Sequence, residues 1–213
     1  MKVNRRPLRK HYQRERFDLI LHNIGRHIKL TVQEEKTFTG MLEAKNLKIR
    51  DFLLRQGEVC QFETFIVKGC LRMYSTDEEG VEHVVLIGIE NWWICDLGSF
   101  LGSHPANYSI DALENSEVMM ISRENLEQLY TRVSKFERFF RILFQNAYIA
   151  QQNRTNQDLT LNGKMKYLSF LQKYPTLDQR ISQRQIASFL GITPVFLSMI
   201  RRKIVSRSFV KLV

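Results

Sequence analysis

The fold is decided by residues 181–204, which read ISQRQIASFLGITPVFLSMIRRKI. Ser182 can cap a first helix, and Gly191 can adopt the positive φ that ends it sharply. Thr193 can cap a second helix, because Pro194 suits a first turn whose N–H would be unpaired anyway. Apolar residues at facing positions would close the two helices over this turn; they are Ile186, Ala187, Leu190, Ile192, Leu197 and Ile200. The segment therefore predicts a helix-turn-helix, although a small three-helix bundle of another function has the same pattern.

The second helix of such a motif enters the major groove of DNA, and its N-terminal residues meet base edges. The start of the first helix and the basic run after residue 200 should meet phosphates. The candidate base contacts are Pro194, Val195, Ser198 and Met199, with Arg202 one turn further on. The whole predicted DNA-binding set is Ser182, Gln183, Arg184, Thr193, Pro194, Val195, Ser198, Met199, Arg201, Arg202 and Lys203.

Charge is distributed unevenly along the 213 residues, whose formal net charge is +10. Residues 164–213 hold ten Lys/Arg and one acid, residues 1–16 carry net +6, and the stretch between them carries net −5. A segment with a single carboxylate attracts polyanions, although a solvated basic face that only aids solubility has the same composition. The basic tail 1–16 lacks any apolar period and is predicted to be mobile.

Several classes of protein are disfavoured by what the sequence lacks. No apolar run approaches the roughly 20 residues that span a bilayer, and no secretory signal follows the basic start. P-loop, G-x-G-x-x-G and G-x-S-x-G motifs are absent, so no enzyme is expected. Neither the three cysteines (Cys60, Cys70 and Cys95) nor the five histidines show metal-ligand spacing. We therefore expect a cytoplasmic protein with no metal, no cofactor and no membrane partner.

From about residue 52 the sequence changes to short apolar runs between turns, which favours an antiparallel sandwich or barrel. Trp92 and Trp93 fit an edge strand with one ring in the core and one outside, and a ligand platform is the alternative. Residues 98–105 are expected to be a loop. The predicted strands are Phe52–Leu54, Phe62–Val67, Leu71–Ser75, Val81–Ile87, Trp92–Ile94, Tyr108–Ala112 and Glu117–Ile121.

Helices are predicted on both sides of this region. An amphipathic helix begins at Phe17, and the Thr31–Glu34 capping box begins another. Ser122 can cap a helix over residues 125–130. A long helix should run from about residue 135 to 157, and another from 164 to 174, where Pro175 stops it.

The long helix carries an apolar seam with 4-3-4-3 spacing, which is typical of a coiled coil. The alternative is that all its apolar residues pack inside one subunit. Phe139, Ile142 and Ile149 lie on another face and are expected to pack on the β domain. The seam comprises Phe136, Phe140, Leu143, Ala147, Ala150, Arg154, Gln157 and Leu161, of which the first five are the predicted dimer interface.

The chain resembles the Crp/Fnr family, typified by the cyclic-AMP receptor protein, over nearly its whole length. The motifs that carry this resemblance are Gly57-Glu58, FIVKGCLR (65–72), residues 97–118, KFERFF (135–140), KYLSFL (166–171) with Tyr174-Pro175, and IASFLGITP (186–194). The resemblance implies an α+β fold with an N-terminal jelly-roll-like β domain, a central dimerisation helix and a C-terminal winged helix-turn-helix. The expected segments are the tail 1–16, the β domain 17–134, the dimerisation helix and hinge 135–163, and the DNA-binding domain 164–213.

Cyclic nucleotide-binding members carry a Gly-Glu pair and, later in the same loop, an arginine that forks onto the cyclic phosphate. The matching positions here are Cys95-Asp96 and Ala106-Asn107, and no lysine or arginine lies between Arg72 and Arg123. Cyclic AMP is therefore not the expected effector, although amides near Gly98 and Gly102 could cradle another anion. Iron–sulfur sensing in the family needs four cysteines, and none precedes residue 60. The effector-pocket candidates are Asp96, Leu97, Gly98, Ala106 and Asn107.

The resemblance implies a homodimeric, promoter-binding transcription regulator, with double-stranded DNA, RNA polymerase and an unidentified small effector as candidate partners. Val195 and Met199 stand where family members usually have an acid or amide and an arginine. Either recognition is biased to A·T pairs through thymine methyls and DNA shape, or DNA binding is weak and electrostatic. The alternative function is a ligand-sensing or protein-interaction module. Residues 205–213 have room for a longer helix or for one strand of a wing.

Overall fold

The computed structural model describes residues 17–210, with residues 205–210 described by their backbone alone. The predicted mobile tail, residues 1–16, lies outside the described residues. The described chain forms two compact units, one of residues 17–72 and 88–146 and one of residues 73–87 and 147–210. The predicted segment boundaries at residues 134 and 163 stay a prediction.

Two short helices begin the first unit. Helix α1 covers residues 17–25, and its Ile20 and Ile24 are fully buried. Helix α2 is Val32–Thr39. Its capping box is confirmed, because Thr31 Oγ1 accepts from the Glu34 amide at 3.3 Å and Glu34 Oε2 accepts from the Thr31 amide at 2.7 Å. Each side chain thus satisfies an amide that the first turn leaves without a helical partner.

The strands of the described chain form two four-stranded sheets, with orders β1-β8-β3-β6 and β2-β7-β4-β5. This confirms the predicted β-sandwich. Strand β3 lies inside the first sheet, where Thr64 pairs with Met120 on one side and with Ile94 on the other. The strands are β1 Glu43–Leu47, β2 Phe52–Leu54, β3 Phe62–Lys68, β4 Leu71–Thr76, β5 Glu82–Gly88, β6 Trp92–Ile94, β7 Ser109–Ala112 and β8 Ser116–Ser122.

Two elements of the first unit were not expected. Strand β1 has four exposed residues and one buried residue, so it lacks the apolar alternation that would announce it. Helix α3 (Leu97–Gly102) corrects the predicted loop at residues 98–105. It forms because Asp96 Oδ1 accepts from the Ser99 amide at 3.1 Å and so caps the helix N-terminus.

An aromatic cluster ties the long helix to the sandwich. Helix α4 is Arg123–Arg132, capped by Ser122, and helix α5 is Lys135–Thr160. The Trp93 ring lies 5.2 Å from Phe65 and 5.5 Å from Phe140, centroid to centroid. Trp93 is buried and Trp92 is partly exposed on the edge strand β6, which confirms the predicted edge pair.

Burial along α5 corrects part of the predicted dimer seam. Phe136 and Phe140 are buried within their own chain, at 0 % and 1 % exposure, because they pack into this aromatic cluster. They therefore offer no free surface to a second subunit. Ala147 and Ala150 are exposed, and so is Ile149, which was expected to pack on the β domain.

The second unit contains the helix-turn-helix. Its helices are α6 Gly163–Lys173, α7 Leu177–Arg180, α8 Gln183–Leu190 and α9 Pro194–Val210. Because α9 runs to Val210, residues 205–210 continue the helix and add no wing strand; residues 211–213 lie outside the described part. None of the helices within residues 17–210 combines the length and apolar content needed to span a membrane.

Candidate functional site

Helices α8 and α9 form the predicted DNA-binding motif, which we call the head. Local caps and a shared apolar face hold these two helices in place. Ser182 accepts from the Gln185 amide, and Gly191 ends α8 with φ 65°. Thr193 Oγ1 accepts from the Phe196 amide at 3.1 Å and so caps α9. Ile186, Ala187, Leu190, Leu197 and Ile200 are all buried. The local sequence therefore determines the turn, and facing apolar residues hold the helices together.

A second, polar set of contacts fixes the angle between the head helices. Gln183 Nε2 donates to the Pro194 carbonyl at 2.6 Å, which joins the start of α8 to the start of α9. Arg201 donates to Tyr167 Oη at 3.1 Å, to Gln183 Oε1 at 3.3 Å and to Asp178 Oδ1 at 2.5 Å. Arg201 is therefore committed to bonds inside the unit, which corrects its prediction as a phosphate contact.

The remaining predicted contacts lie on the outside of the head. Val195 is 71 % exposed and Met199 is 47 % exposed, and Ser198 between them is partly exposed. The predicted contacts that are exposed side chains are Ser182, Arg184, Thr193, Pro194, Val195, Met199, Arg202 and Lys203. The residues that the sequence placed on α8 and α9 thus lie on those two helices. Gln183 and Arg201 differ from the others, because their side chains make hydrogen bonds inside the unit.

The loop of the predicted effector pocket is held by its own hydrogen bonds. Asp96 is buried, and its second oxygen, Oδ2, accepts from the Asn107 amide at 2.9 Å. Ala106 is 3 % exposed; its amide donates to the Glu58 carbonyl and its carbonyl accepts from the Gly57 amide. Both Asp96 oxygens therefore hold the loop, and the carboxylate is only 4 % exposed.

We call residues 95–107, which match the nucleotide-binding loop of the family, the cassette. The cassette contains no lysine or arginine that could bind a phosphate. A methyl group stands at residue 106, and Arg72 is bound bidentately to Asp111, with Nε–Oδ1 at 2.7 Å and Nη2–Oδ2 at 2.9 Å. Both side chains of this ion pair are buried. Arg123 reaches the loop from outside and donates to the Ser103 hydroxyl. Leu97 and Gly98 contribute the first turn of α3 and no charge.

Comparison with known proteins agrees with this geometry. Residues 44–133 match the cyclic nucleotide-binding domain family. The chain has a Crp/Fnr-type fold. Solved structures with that fold include CLP of Xanthomonas campestris, described as a c-di-GMP-responsive global regulator, with 14 % identity, a TM-score of 0.65, and coverage of 84 % of this chain and 93 % of CLP.

FixK2 of Bradyrhizobium japonicum matches with 13 % identity and a TM-score of 0.67, covering 78 % of this chain and 86 % of FixK2. A Eubacterium rectale protein described as a Crp/Fnr-family transcriptional regulator matches with 16 % identity and a TM-score of 0.66, covering 84 % and 85 % of the two chains. No curated protein matches the sequence. These findings confirm the resemblance at the level of the fold.

Within the second unit of this Crp/Fnr-like chain, Arg154 and Ser188 make a set of polar contacts that the sequence did not predict. Arg154 donates to the Val84 and Phe189 carbonyls at 3.2 and 2.7 Å, and its guanidinium lies 3.9 Å from the Phe189 ring centroid. Ser188 Oγ donates to the Glu82 carbonyl at 2.8 Å and accepts from the Val84 amide at 3.1 Å. These contacts group residues 73–87 with the C-terminal helices. Arg154, which the 4-3-4-3 spacing placed on the seam of the long helix, is therefore bonded within its own chain.

A second cluster that the sequence did not announce lies beside the cassette. The Cys95 thiol donates to Glu63 Oε2 at 2.7 Å, and the Cys60 side chain lies close enough to Cys95 for each thiol to shift the pKa of the other. Cys95 is distant in sequence from Cys60 and Glu63, and the pairing of β3 with β6 brings it to them. Among the described residues, no group of three or more His, Cys, Asp or Glu side chains is arranged to hold a metal ion.

Proposed function

We propose that this chain is a DNA-binding transcription regulator of the Crp/Fnr type that binds promoter DNA as a homodimer and does not respond to cyclic AMP. The observation that carries the proposal is the head itself. The outer surface of α8 and α9 presents Arg184, Arg202 and Lys203 around the exposed first turns of α9. A braced helix with an exposed N-terminal end and flanking cations is what major-groove binding needs.

Selection of genomic fragments by the purified protein tests sequence-specific binding. At about 0.15 M salt, where weak surface attraction is screened, we expect an enriched two-fold symmetric motif with half-sites one helical turn apart. Because Val195 and Met199 offer apolar surface to thymine methyls, the motif should be richer in A·T than in G·C pairs. Recovery of fragments with no common motif would refute specific regulation.

Phosphate contacts are tested by the salt dependence of binding. Each phosphate contact removed should lower the slope of log K against log salt by about 0.9. Arg184→Ala and Arg202→Ala should each have this effect and should weaken binding equally on all sequences. Arg138→Ala, which removes an exposed cation of α5 in the first unit, is the matched control and should leave the slope unchanged.

The homodimer is supported by the middle of α5. Residues 145–153 are all exposed, and this stretch includes Ala147 and Ala150 at seam spacing, with the apolar Tyr148 and Ile149 beside them. Small residues at a seam let two helices approach closely. Two-fold pairing along this face would supply the two heads that a palindromic site requires.

Light scattering after size exclusion tests this pairing. The wild-type chain should show twice the 25.3 kDa of one protomer. The double variant Ala147→Glu/Ala150→Glu should be monomeric, because it would bury four carboxylates in the two-fold contact. Gln152→Glu, on the opposite face of the same helix, should remain dimeric. A monomeric wild-type protein at micromolar concentration contradicts the proposal.

Insensitivity to cyclic AMP is supported by the cassette. Ala106 supplies no cation for a phosphate, and the Asp96 carboxylate is buried and bonded to two backbone amides of its own loop. Calorimetry with cyclic AMP should show no saturable heat. Cyclic di-GMP is the second probe, because CLP is described as responsive to it. Micromolar binding of cyclic AMP would overturn this part of the proposal.

One observation favours a second function, a protein-interaction module with weak electrostatic DNA binding. The first turns of α9 expose three large apolar side chains, Val195, Phe196 and Met199. Exposed apolar groups that lie together are typical of protein contacts. The fragment selection distinguishes the two functions: this second function predicts DNA binding with a steep salt dependence and no motif, and the first predicts a motif.

A further inference from the structure

A buried carboxyl group and two thiols meet at one end of the first sheet. Thr64 of β3 pairs with Ile94 of β6, so the next residues outward, Glu63 and Cys95, are cross-strand neighbours. The Cys95 thiol donates to Glu63 Oε2 at 2.7 Å. Glu63 is 2 % exposed, and among residues 17–204 no Lys or Arg side chain bonds to it. A glutamate therefore lies in the sandwich with a thiol as its hydrogen-bond partner.

The second thiol is anchored beside the first. Cys60 precedes β3, and its amide donates to Ser99 Oγ of α3 at 2.9 Å. Its thiol donates to the Phe62 carbonyl at 3.5 Å, and it lies close enough to the Cys95 thiol and the Asp96 amide for both to shift its pKa. Cys60 is 5 % exposed and Cys95 is partly exposed. Two neighbouring thiols can form a disulfide bond once their sulfurs approach to bonding distance.

The environment gives the three groups different proton affinities. Interaction with the Cys95 side chain lowers the pKa of Cys60, and the Asp96 amide acts in the same direction against the effect of burial. Interaction with Cys60 and burial raise the pKa of Cys95. Burial raises the pKa of Glu63 to about 8. Cys60 is thus the more acidic of the two thiols, and Cys95 lies against a carboxyl group whose pKa is about 8.

We propose that Cys60 and Cys95 form a reversible intrachain disulfide on reaction with a hydroperoxide, with Glu63 accepting the proton of Cys95. This modification site lies outside the head and does not depend on the function proposed above. It acts directly on the effector-pocket loop, because Cys60 bonds Ser99 of α3 and Cys95 precedes Asp96, which caps that helix.

The chemistry balances in two steps. The Cys60 thiolate attacks a peroxide oxygen, the O–O bond breaks, and Cys60 becomes a sulfenic acid while hydroxide leaves and takes up the proton that Cys60 released. Glu63 then takes the proton of Cys95, and the Cys95 thiolate attacks the sulfenic sulfur. The S–O bond breaks as the S–S bond forms, and the departing hydroxide takes the proton from Glu63. Two thiols lose two electrons and two protons, and hydrogen peroxide becomes two waters.

Peptide mapping of the unmodified sequence tests the pairing without any variant. Trypsin places each cysteine on its own peptide: residues 56–68 carry Cys60, residues 69–72 carry Cys70, and residues 73–123 carry Cys95. After treatment of the reduced protein with hydrogen peroxide, mass spectrometry should show peptide 56–68 linked to 73–123 and peptide 69–72 free. Dithiothreitol should restore both linked peptides to their reduced masses, and the chain should remain a 25.3 kDa species on a non-reducing gel.

Variants separate the two steps. Cys95→Ser should stop at the Cys60 sulfenic acid, which dimedone traps. Glu63→Gln keeps both thiols and should slow disulfide formation by about tenfold or more at pH 8, with loss of the rate increase near that pH. Cys70→Ser is the matched control and should oxidise like the wild type. Trp93 fluorescence confirms that each variant is folded, since this ring lies in the adjacent core.

Several results would overturn the proposal. These are a link from either peptide to residues 69–72, a disulfide between two chains, sulfinic or sulfonic acid at Cys60 without a link, and no thiol loss under peroxide. If Glu63→Gln oxidised at the wild-type rate with the wild-type pH profile, the role of Glu63 would be excluded even with the disulfide present.

Discussion

The buried glutamate makes a quantitative prediction about stability. In the unfolded chain Glu63 titrates near its ordinary pKa of 4.5, whereas in the folded protein burial raises its pKa to about 8. Below pH 4.5 both states hold the proton. Between pH 4.5 and 8 the folded state retains a proton that the unfolded state has released, so the free energy of unfolding falls as pH rises. Above pH 8 both states are ionised and this dependence ends.

The size of the effect follows from the two pKa values. Each pKa unit corresponds to about 1.4 kcal/mol, so the interval from 4.5 to about 8 predicts a loss on the order of 5 kcal/mol. Glu63→Gln removes the titration and keeps a group that can accept a hydrogen bond from Cys95. The difference in free energy of unfolding, variant minus wild type, should therefore rise by that amount between pH 4.5 and 8.

Urea unfolding of the reduced protein at several pH values measures this difference. Both tryptophans, Trp92 and Trp93, lie on β6, so their fluorescence reports the domain that holds Glu63. Subtracting the wild-type curve removes the contribution of every other titrating group. Glu78→Gln replaces an exposed carboxylate in the β4–β5 turn and should give a flat difference. A flat difference for Glu63→Gln as well, within about 1 kcal/mol, would refute the reasoning.

Three further substitutions test the packing and the ion pairs. Gly163→Ala should destabilise the second unit by about 1–3 kcal/mol in thermal melts, because a Cβ at that position would lie 2.7 Å from Phe196 Cε1. Asp111→Ala should cost about 3–5 kcal/mol by urea unfolding, since it removes the bidentate carboxylate partner of the buried Arg72 guanidinium. Arg154→Ala should speed hydrogen exchange of amides in residues 82–88 and in α8 by roughly tenfold, because it removes the bonds that hold those carbonyls.

Matched controls make these outcomes interpretable. Gly25→Ala places a methyl group where no atom lies within 4 Å, so it should be close to neutral. Asp51→Ala removes an exposed carboxylate and should cost far less than Asp111→Ala. Arg138→Ala should leave hydrogen exchange in α8 unchanged. Equal effects of a substitution and its control would contradict the contact on which that prediction rests.

The elements that the sequence predicts correctly are those whose signals are local. The caps at Thr31, Ser122 and Ser182 each lie three residues from the amide they satisfy, so spacing alone locates the helix starts. The helix-turn-helix adds a positive-φ glycine and a set of apolar residues within one short segment. Strand β1 has no comparable signal, because four of its five residues are exposed and its pairing with β8 is what forms it.

In the candidate site, too, the sequence predicts the features set by local pattern and misses those set by tertiary contacts. Val195 and Met199 are exposed on α9 as the helical period predicts, but Arg201 is not available, because Asp178 and Tyr167 reach it from other helices. Phe136 fits a seam pattern equally well whether its partner is a second subunit or its own sandwich. A periodic pattern shows which face of a helix is apolar, and only the tertiary structure shows what covers that face.

The cassette and the thiol cluster together explain how a Crp/Fnr-type fold can keep its pocket loop without a nucleotide. In a nucleotide-binding cassette the ligand's phosphate and ribose bridge the loop. Here Asp96 bridges it, by capping α3 with one oxygen and holding the Asn107 amide with the other. A loop that is already braced gains little from a ligand at that place. Cys95 precedes Asp96, and the Cys60 amide bonds Ser99 of α3. A disulfide bond between Cys60 and Cys95 would therefore move this loop through oxidation, without a bound nucleotide.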